Sequence, residues 1–246
     1  MCDADAIDTL PPEIIVLTHP DFWIALKPPG LSFHDESGKA GFVSLFRQRV
    51  GGAPLYPVHR LDRLTSGLIV LARSAEAARR FGEMFASGAV EKYYLAISAQ
   101  APAKKQGCVK GVMQKGRGGC WRLTRGADGP RAITQFFSFS AGGMRVFVVR
   151  PRTGRTHQIR VALKSLGAPI LGDERYGGAA ADRGYLHAFA LRFMWAGSPV
   201  CCVASPSIGQ VFMRMAVQEV VQSLVEPWRL AWPQQGVDAG MGWTDA

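Results

Sequence analysis

Short apolar runs bounded by turn residues recur along this chain. Residues 14–17 and 22–26 have the composition of β-strands, and His19-Pro20-Asp21 between them is typical of a turn. Residues 133–139 and 144–149 flank a Ser-Ala-Gly-Gly sequence, which predicts a hairpin. The same features predict further strands at 68–71, 91–98, 185–195 and 200–204.

Three segments are predicted to be α-helices. The first follows Ser74, which can cap it, and stops at Gly88. The second spans 157–166, and the third spans 206–224 with a serine before it and a proline at its first position. Because strands predominate and several are joined by short turns, we expect an α+β fold with a central mixed, largely antiparallel sheet flanked by helices.

No internal repeat or long linker divides the chain into smaller units. Residues 1–12 and 233–246 have the composition of tails, so one domain is expected over 13–232. The sequence has no apolar run of about 18 residues and no signal-peptide pattern at its acidic start. Five cysteines without framework spacing favour a reducing compartment, so we expect a cytoplasmic protein with no membrane span.

The chain is strongly basic, with 29 Lys and Arg against 19 Asp and Glu. This excess predicts a polyanionic partner, either nucleic acid or an acidic membrane surface. Residues 104–131 carry only one acid, Asp128, and seven glycines. We interpret this part as a flexible segment that can follow a phosphate backbone, or else as a solvated insertion. Its basic residues are Lys104, Lys105, Lys110, Lys115, Arg117, Arg122, Arg125 and Arg131.

A second basic cluster lies where a predicted strand leads into the predicted helix at 157–166. Arg150, Arg152, Arg155 and Arg160 fall within eleven residues that contain no acid. A helix N-terminus adds its own positive end, so the cluster could hold a phosphate or a carboxylate. The alternative is a solvated basic loop. Arginines without local acids need partners elsewhere, either RNA or a buried Asp.

Polar and charged residues run directly into an apolar strand over residues 57–71. Asp62 lies there between Arg60 and Arg63, an arrangement that can keep a carboxylate rigid and ionised. Judged by this local pattern alone, a turn-capping role for Asp62 is the more common explanation.

Five motifs, in this order, resemble the pseudouridine synthases of the large-subunit ribosomal RNA type. The resemblance covers the chain from about residue 13 to at least residue 205. The motifs are Lys27-Pro28-Pro29-Gly30; His59-Arg60-Leu61-Asp62 with Thr65-Ser66-Gly67; Glu91-Lys92-Tyr93-Tyr94-Leu95-Ala96; Thr153-Gly154-Arg155-Thr156-His157-Gln158-Ile159-Arg160-Val161 with 167–173 and Tyr176-Gly177; and Leu186-His187-Ala188.

The resemblance implies an enzyme that isomerises specific uridines in RNA to pseudouridine, and it implies roles for individual residues. Asp62 would be the nucleophile, or the base, that lets the uracil detach from its ribose and rejoin through carbon 5. Tyr94 would lie against the target base; Tyr93 is its alternative, but the Lys-x-Tyr spacing favours Tyr94. Arg160 would pair with Asp62, and Leu186 would line the base pocket. No metal or organic cofactor is implied.

The same resemblance implies how the RNA is bound. The target uridine must leave its stack to reach a buried Asp, and Arg60, with His59 beside it, is the candidate to fill the gap. Arg63 and Arg155 are further candidates for substrate binding. A stem-loop of ribosomal or transfer RNA is the expected partner of a monomeric protein. The early Lys-Pro-Pro-Gly motif leaves no room for the N-terminal RNA-binding domain of many relatives, so residues 104–131 are expected to contribute to binding.

Three other functions are compatible with parts of the sequence. The main alternative is a catalytically inactive RNA-binding or ribosome-assembly protein of the same fold, but Asp62, Tyr94 and Arg160 are all present. A zinc site built on the histidines and Cys201-Cys202 lacks short ligand spacing. A hydrolase triad of Asp62, Ser66 and His157 lacks the Gly-x-Ser-x-Gly elbow.

Overall fold

The computed structural model describes residues 10–124 and 128–233. Within that part of the chain, eleven β-strands form a single sheet against which four α-helices pack. The strands are β1 (Ile15–Thr18), β2 (Phe22–Lys27), β3 (Tyr56–Pro57), β4 (Ser66–Ala72), β5 (Glu91–Ser98), β6 (Gln106–Lys115), β7 (Trp121–Thr124), β8 (Arg131–Ala141), β9 (Met144–Pro151), β10 (Leu186–Trp195) and β11 (Ser198–Val203). The helices are α1 (Phe42–Arg49), α2 (Ala75–Ser87), α3 (Gln158–Ser165) and α4 (Met215–Gln222).

The order of strands in the sheet is β1-β2-β4-β10-β5-β9-β8-β6-β7, with β3 paired to β4 and β11 paired to β10. Only the pairing of β4 with β10 is parallel among these strands. The α+β fold with a mixed, largely antiparallel sheet is therefore confirmed. Ala188 of β10 is in register with Gly67 of β4 on one side and with Tyr94 of β5 on the other. Three separate motifs thus meet in one row of the sheet.

Alternation along β2 and β4 creates two cores, one on each face of the sheet. Successive side chains of a strand point to opposite faces, so every residue of β4 is buried. One face packs with α1 through Trp23, Ala25, Ile69 and Leu71. The other packs with α2 through Phe22, Ile24, Leu68 and Val70. Each large apolar side chain buried here stabilises the fold by about 1.5–3 kcal/mol.

Most elements lie where the sequence predicts them. In α2, the Ser74 hydroxyl accepts a hydrogen bond from the backbone N–H of Ala77 at 3.1 Å, and the left-handed Gly88 ends the helix. The 133–149 hairpin is also present as β8 and β9. The short helix α1 is not predicted by the sequence, because Gly41 at its start gives it no side-chain cap.

The interpretation of 104–131 as a flexible segment is wrong for most of its length. It forms β6 and β7, and only 125–127 lie outside the described residues. β6 pairs with β8 over seven residues from Gln106 to Val112, and this ladder satisfies backbone groups that would otherwise need water. The ladder contains Gly107 and Gly111, because pairing with a neighbouring strand outweighs the low strand propensity of glycine.

The predicted helix at 206–224 is also wrong in its first half, since α4 begins only at Met215. Gly209 has a φ of +112°, which is incompatible with a helix. The carbonyl of Ile208 accepts a hydrogen bond from the Arg183 guanidinium at 3.0 Å. Tertiary contacts therefore use backbone groups that a helix would have paired locally.

Both ends of the described chain contact the core. Leu10 is buried, and the carbonyl of Pro233 accepts a hydrogen bond from the Gln135 side chain at 2.8 Å. Most of the predicted tails, 1–12 and 233–246, lie outside the described residues, so the domain boundaries stay predictions. None of the helices in the described part is long and apolar enough to cross a membrane.

The parallel contact between β4 and β10 depends on Gly67. Its φ of +107° is a conformation that side-chain-bearing residues rarely adopt. A Cβ atom on this residue would lie 2.3 Å from the carbonyl oxygen of Ala188. The two backbones can therefore approach this closely only because residue 67 has no side chain.

We predict that Gly67→Ala lowers the free energy of unfolding by about 3 kcal/mol or more, because backbone strain and overpacking add. The matched control is Gly82→Ala in α2, where an added Cβ meets nothing within 4 Å. That change should raise the free energy of unfolding by about 0.5–1 kcal/mol. Urea denaturation of both variants measures the difference; similar stabilities would contradict the role given to Gly67.

Candidate active site

A cleft of about 630 Å³ opens beside the row where β4, β10 and β5 meet. Asp62 reaches it from the loop before β4, Tyr94 from β5 and Arg160 from α3. Leu186, the first residue of β10, is buried in its wall. The fold thus brings together all four residues that the sequence places at the centre of the site.

Asp62 forms the ion pair with Arg160 that the sequence predicts. Arg160 Nη1 donates to Asp62 Oδ2 at 3.2 Å, and the Asp62 side chain remains 24% exposed. Arg160 also donates from Nε and Nη2 to the two oxygens of Asp173, at 2.7 and 2.8 Å. Asp173 is 1% exposed, so Arg160 is held from behind by a buried carboxylate.

The Arg160 charge is stable in this position although the side chain is buried. Burial opposes the charged form, but hydrogen bonds and attraction from Asp173 and Asp62 outweigh it and raise the pKa of the guanidinium. Of the two partners that the sequence left open for this cluster, RNA or a buried Asp, Arg160 has a buried Asp in this structure. The sequence analysis gave Asp173 no role, although Asp173 is the last residue of the 167–173 motif. A buried arginine requires carboxylate partners, and this requirement could have pointed to Asp173.

Tyr94 and not Tyr93 faces the cleft. Burial, and then the negative charge of Asp62, raise the pKa of the Tyr94 hydroxyl above its usual value, so it remains a proton donor. Tyr93 points to the other face of the sheet, where its hydroxyl donates to Glu91 at 2.8 Å. The Lys-x-Tyr spacing therefore selects the tyrosine that lines the cleft.

The structure separates the four candidates for substrate binding. Arg60 and Arg155 are exposed at the cleft, and Arg60 Nη2 lies 3.5 Å from the Thr156 hydroxyl across it. His59 lies in the cleft wall, but its Nε2 accepts from the backbone N–H of Val70 at 2.9 Å, and burial lowers its pKa to about 3. Arg63 does not line the cleft and instead donates to the carbonyl of Gly30 at 2.9 Å.

A buried lysine supports the loop that carries Asp62. Lys27 is 1% exposed, and its Nζ donates to the carbonyls of Pro28, Arg63 and Thr65 at 2.8, 3.3 and 2.9 Å. Burial lowers the pKa of its ammonium to about 7. The sequence identifies Lys27-Pro28-Pro29-Gly30 as a family motif but assigns no partner to the Lys27 side chain. A partner 38 residues away cannot be recognised from a local pattern.

Positive charge dominates the cleft walls. Arg150 pairs with Glu91, and Arg160 is neutralised as described above. Arg60, Lys92, Arg152 and Arg155 form no salt bridge within the described part of the chain. The basic side chains that line the cleft are Arg60, Lys92, Arg150, Arg152, Arg155 and Arg160, and the acidic ones are Asp62 and Glu91.

The hydrolase alternative is not assembled in this structure. The Ser66 hydroxyl is 2.8 Å from Nδ1 of His187 and accepts from Arg183 at 2.7 Å. His157 contacts Asp62 and Tyr176 instead of Ser66. Ser66 is therefore part of a buried network behind the cleft and not a nucleophile beside His157.

Comparison with known proteins adds independent evidence. The family model for RNA pseudouridylate synthase matches residues 21–165. A Haemophilus influenzae protein named "Uncharacterized RNA pseudouridine synthase" is 43% identical over 211 residues, covering 85% of this chain and 94% of that protein. The ribosomal large subunit pseudouridine synthase C of Rickettsia bellii is 39% identical over 130 residues, covering 51% of this chain and 43% of its own length.

Solved structures show the same fold. Human RNA Pseudouridylate Synthase Domain Containing 4 has a TM-score of 0.66 and 25% identity, covering 90% of this chain and 94% of its own. Human RNA Pseudouridylate Synthase Domain Containing 1 has a TM-score of 0.70 and 22% identity, covering 85% and 93%. The family model spans more than half of the chain, and the Haemophilus protein matches over nearly its whole length. This chain therefore belongs to the RNA pseudouridine synthase family and is an isomerase that converts uridine to pseudouridine.

Proposed function

We propose that Asp62 is the group that reacts with the ribose of the target uridine. The observation that carries the proposal is a partly exposed carboxylate held in a basic cleft by an arginine that is itself fixed by buried Asp173. Such support gives the Asp62 carboxylate one direction before RNA binds, which is the preorganisation that catalysis requires.

The reaction exchanges one bond for another. The bond between N1 of uracil and C1′ of ribose breaks, the uracil turns, and C5 bonds to C1′. C5 then loses its proton and N1 gains one, so no electron is lost and the proposal includes no cofactor. Asp62 either attacks the sugar or removes a proton from it, and both routes begin from the ionised carboxylate.

Two residues of the sheet are suited to hold the detached uracil. Leu186 offers an apolar wall, and it is 3% exposed. Tyr94 offers an aromatic ring together with a phenol that stays protonated. Because Tyr94 and Leu186 lie on the adjacent strands β5 and β10, the base would be confined beside Asp62 while it turns.

We propose a stem-loop of ribosomal or transfer RNA as the substrate of a monomeric, cytoplasmic enzyme. A uridine that reaches Asp62 has to leave its stack, and exposed Arg60 at the cleft mouth is placed to fill the gap. Arg155 and Lys92 offer positive charge to the flanking phosphates. The Rickettsia relative, by its name, acts on the large ribosomal subunit, which favours ribosomal RNA.

The hairpin formed by β6 and β7 adds a basic surface beside the cleft. Met113 of β6 packs under α3 with Val161 and Tyr176, so Lys115, two residues further along the strand, points to this same face. Lys110 points to the opposite face by the same alternation. Of these two exposed lysines, only Lys115 lies on the side of the sheet that carries α3, and we propose that it contacts RNA.

We predict that Asp62→Asn lowers pseudouridine formation at least about 10³-fold, because the amide can neither attack nor accept a proton. The control is Asp35→Asn, which changes an exposed Asp that binds the backbone N–H of Gly41. Mass spectrometry of cellular RNA after incubation with each protein measures pseudouridine. Equal yields from Asp62→Asn and the unchanged protein would refute the assignment. If even the unchanged protein yields none, the inactive RNA-binding alternative is favoured.

Asp173→Asn should affect both stability and activity. The change leaves buried Arg160 without its main counter-charge and lowers the free energy of unfolding by about 3 kcal/mol. Asp62→Asn should change stability by about 1 kcal/mol or less, since Asp62 is partly exposed and Arg160 keeps Asp173. Chemical denaturation of the two variants compares these effects. Equal stabilities would contradict the placement of Asp173 as the main support of Arg160.

Lys115→Gln should weaken RNA binding and reduce the salt dependence of the binding constant. The loss of one phosphate contact lowers the slope of log K against log salt by about 0.7–0.9. Lys110→Gln is the matched control on the other face of the same strand, and its slope should stay unchanged. Filter binding of a stem-loop RNA over a salt series measures both slopes, and equal slopes for the two variants would rule out a specific contact by Lys115.

A further inference from the structure

His157 lies between Asp62 and Tyr176, immediately before the first residue of α3. Its Nε2 is 3.9 Å from Asp62 Oδ2, and its Nδ1 is 2.8 Å from the Tyr176 hydroxyl. The side chain is 14% exposed and lines the cleft. A histidine between a reactive carboxylate and a buried phenol has a defined chemical environment on both ring nitrogens.

The hydrogen bonds of Tyr176 determine which nitrogen of His157 carries the proton. The Tyr176 hydroxyl oxygen accepts from the backbone N–H of Trp121 at 2.9 Å. The Tyr176 hydroxyl can then donate its proton to Nδ1 of His157. If Nδ1 donated to Tyr176 instead, the hydroxyl proton would have no acceptor among the described residues. Since Nδ1 accepts, a neutral ring carries its proton on Nε2, which faces Asp62.

The surroundings of His157 favour the neutral ring. Burial lowers the pKa of His157, and Arg160 and Arg175 act in the same direction, while attraction from Asp62 and Asp173 opposes them. A neutral imidazole can still donate one hydrogen bond, and a carboxylate can still accept it. The Nε2–H of the neutral ring therefore faces the carboxylate of Asp62.

The backbone of His157 supports a requirement for its side chain. Its φ of +56° and ψ of +19° lie in the left-handed region, where a glycine or an asparagine is accommodated more easily. A residue other than glycine loses about 1 kcal/mol or more in this conformation. Such strain is concentrated at functional sites, where the particular side chain is needed.

We infer that His157 is a positioning residue for Asp62, and the inference rests on the proposed function. Both Arg160 Nη1 and His157 Nε2 approach the same carboxylate oxygen, Oδ2. Within the described part of the chain, no hydrogen bond reaches Oδ1. His157 and Arg160 together hold Oδ2 so that Oδ1 is the oxygen presented to the ribose. The 3.9 Å separation exceeds a hydrogen bond, so the inference requires this contact to shorten when the substrate binds.

This arrangement extends to the hairpin that carries the basic surface. Trp121 is the first residue of β7, and its N–H begins the series of hydrogen bonds that passes through Tyr176 to His157. Tyr176 does not line the cleft, so it acts on Asp62 only through His157 and through its ring contact with Arg160 at 4.9 Å. Tyr176→Phe keeps the ring and removes only the hydroxyl.

Two substitutions of His157 separate its contacts. The amide of Asn lies where Nδ1 of the imidazole lies, so His157→Asn keeps the partner of Tyr176 and the left-handed backbone but loses the donor to Asp62. The longer amide of Gln reaches the position of Nε2, so His157→Gln restores that donor. If His157 were needed only for folding, His157→Asn would be the less damaging substitution, because Asn tolerates the left-handed region better than Gln.

The test uses RNA labelled with tritium at C5 of the uridine that the unchanged protein modifies, and it measures kcat and KM from tritium release. We expect His157→Asn to lower kcat about 10–100-fold, the range for loss of a hydrogen bond to a charged group, with KM changed less than about threefold. The kcat of His157→Gln should be at least about tenfold higher than that of His157→Asn. Tyr176→Phe should lower kcat without changing KM. Circular dichroism establishes that each variant is folded.

Three outcomes would overturn the inference alone: an unchanged kcat in His157→Asn, a His157→Gln no better than His157→Asn, or an effect confined to KM. The last would make His157 a substrate contact and not a support of Asp62. If the unchanged protein forms no pseudouridine in any cellular RNA, the proposed function is refuted and this inference is refuted with it. The two failures are therefore distinguishable by the unchanged protein.

Discussion

The buried charge of Arg160 is the interaction on which the rest of the site depends. An arginine can remain charged inside a protein only if its partners replace the water it has lost. Asp173 supplies two hydrogen bonds from the interior, and Asp62 supplies a third from the cleft. Asp173 therefore fixes the position of Arg160, and Arg160 in turn fixes the carboxylate of Asp62, which stays partly exposed. Without that interior support, Arg160 and Asp62 would form an ordinary half-exposed ion pair with little directional constraint.

The second constraint is the parallel contact between β4 and β10. The loop that carries Asp62 enters β4 at Ser66, and Gly67 lets the β4 backbone come close to Ala188. Because β10 is also paired with β5, this single close approach sets the distance from Asp62 to both Leu186 and Tyr94. Lys27 supports this loop through hydrogen bonds to two of its carbonyl groups, those of Arg63 and Thr65. The catalytic geometry is thus a property of sheet register as much as of the side chains that line the cleft.

Local patterns in the sequence were reliable where local physics decides the structure. The cap and stop of α2 and the hairpin of β8 and β9 follow from side-chain hydrogen bonding, glycine conformation and apolar alternation. Local patterns were unreliable where partners distant in the sequence decide the structure. β6 and β7 have the composition of a flexible basic segment, yet pairing with β8 makes them strands. The segment before α4 has a helical start signal, yet Arg183 uses one of its backbone carbonyls.

By itself, the sequence determined the α+β class, the family through the order of five motifs, and the set of residues expected around Asp62. The motifs can be recognised without a structure because each is a short stretch of sequence with its own chemistry. Only the tertiary structure decided which partners complete the site. Asp173 behind Arg160, Lys27 beneath the Asp62 loop and Tyr176 beside His157 are joined across 13 to 38 residues by hydrogen bonds that no local pattern encodes. The physical reason is that a buried polar group needs a hydrogen-bond partner, but which residue becomes that partner depends on how the sheet brings distant segments together.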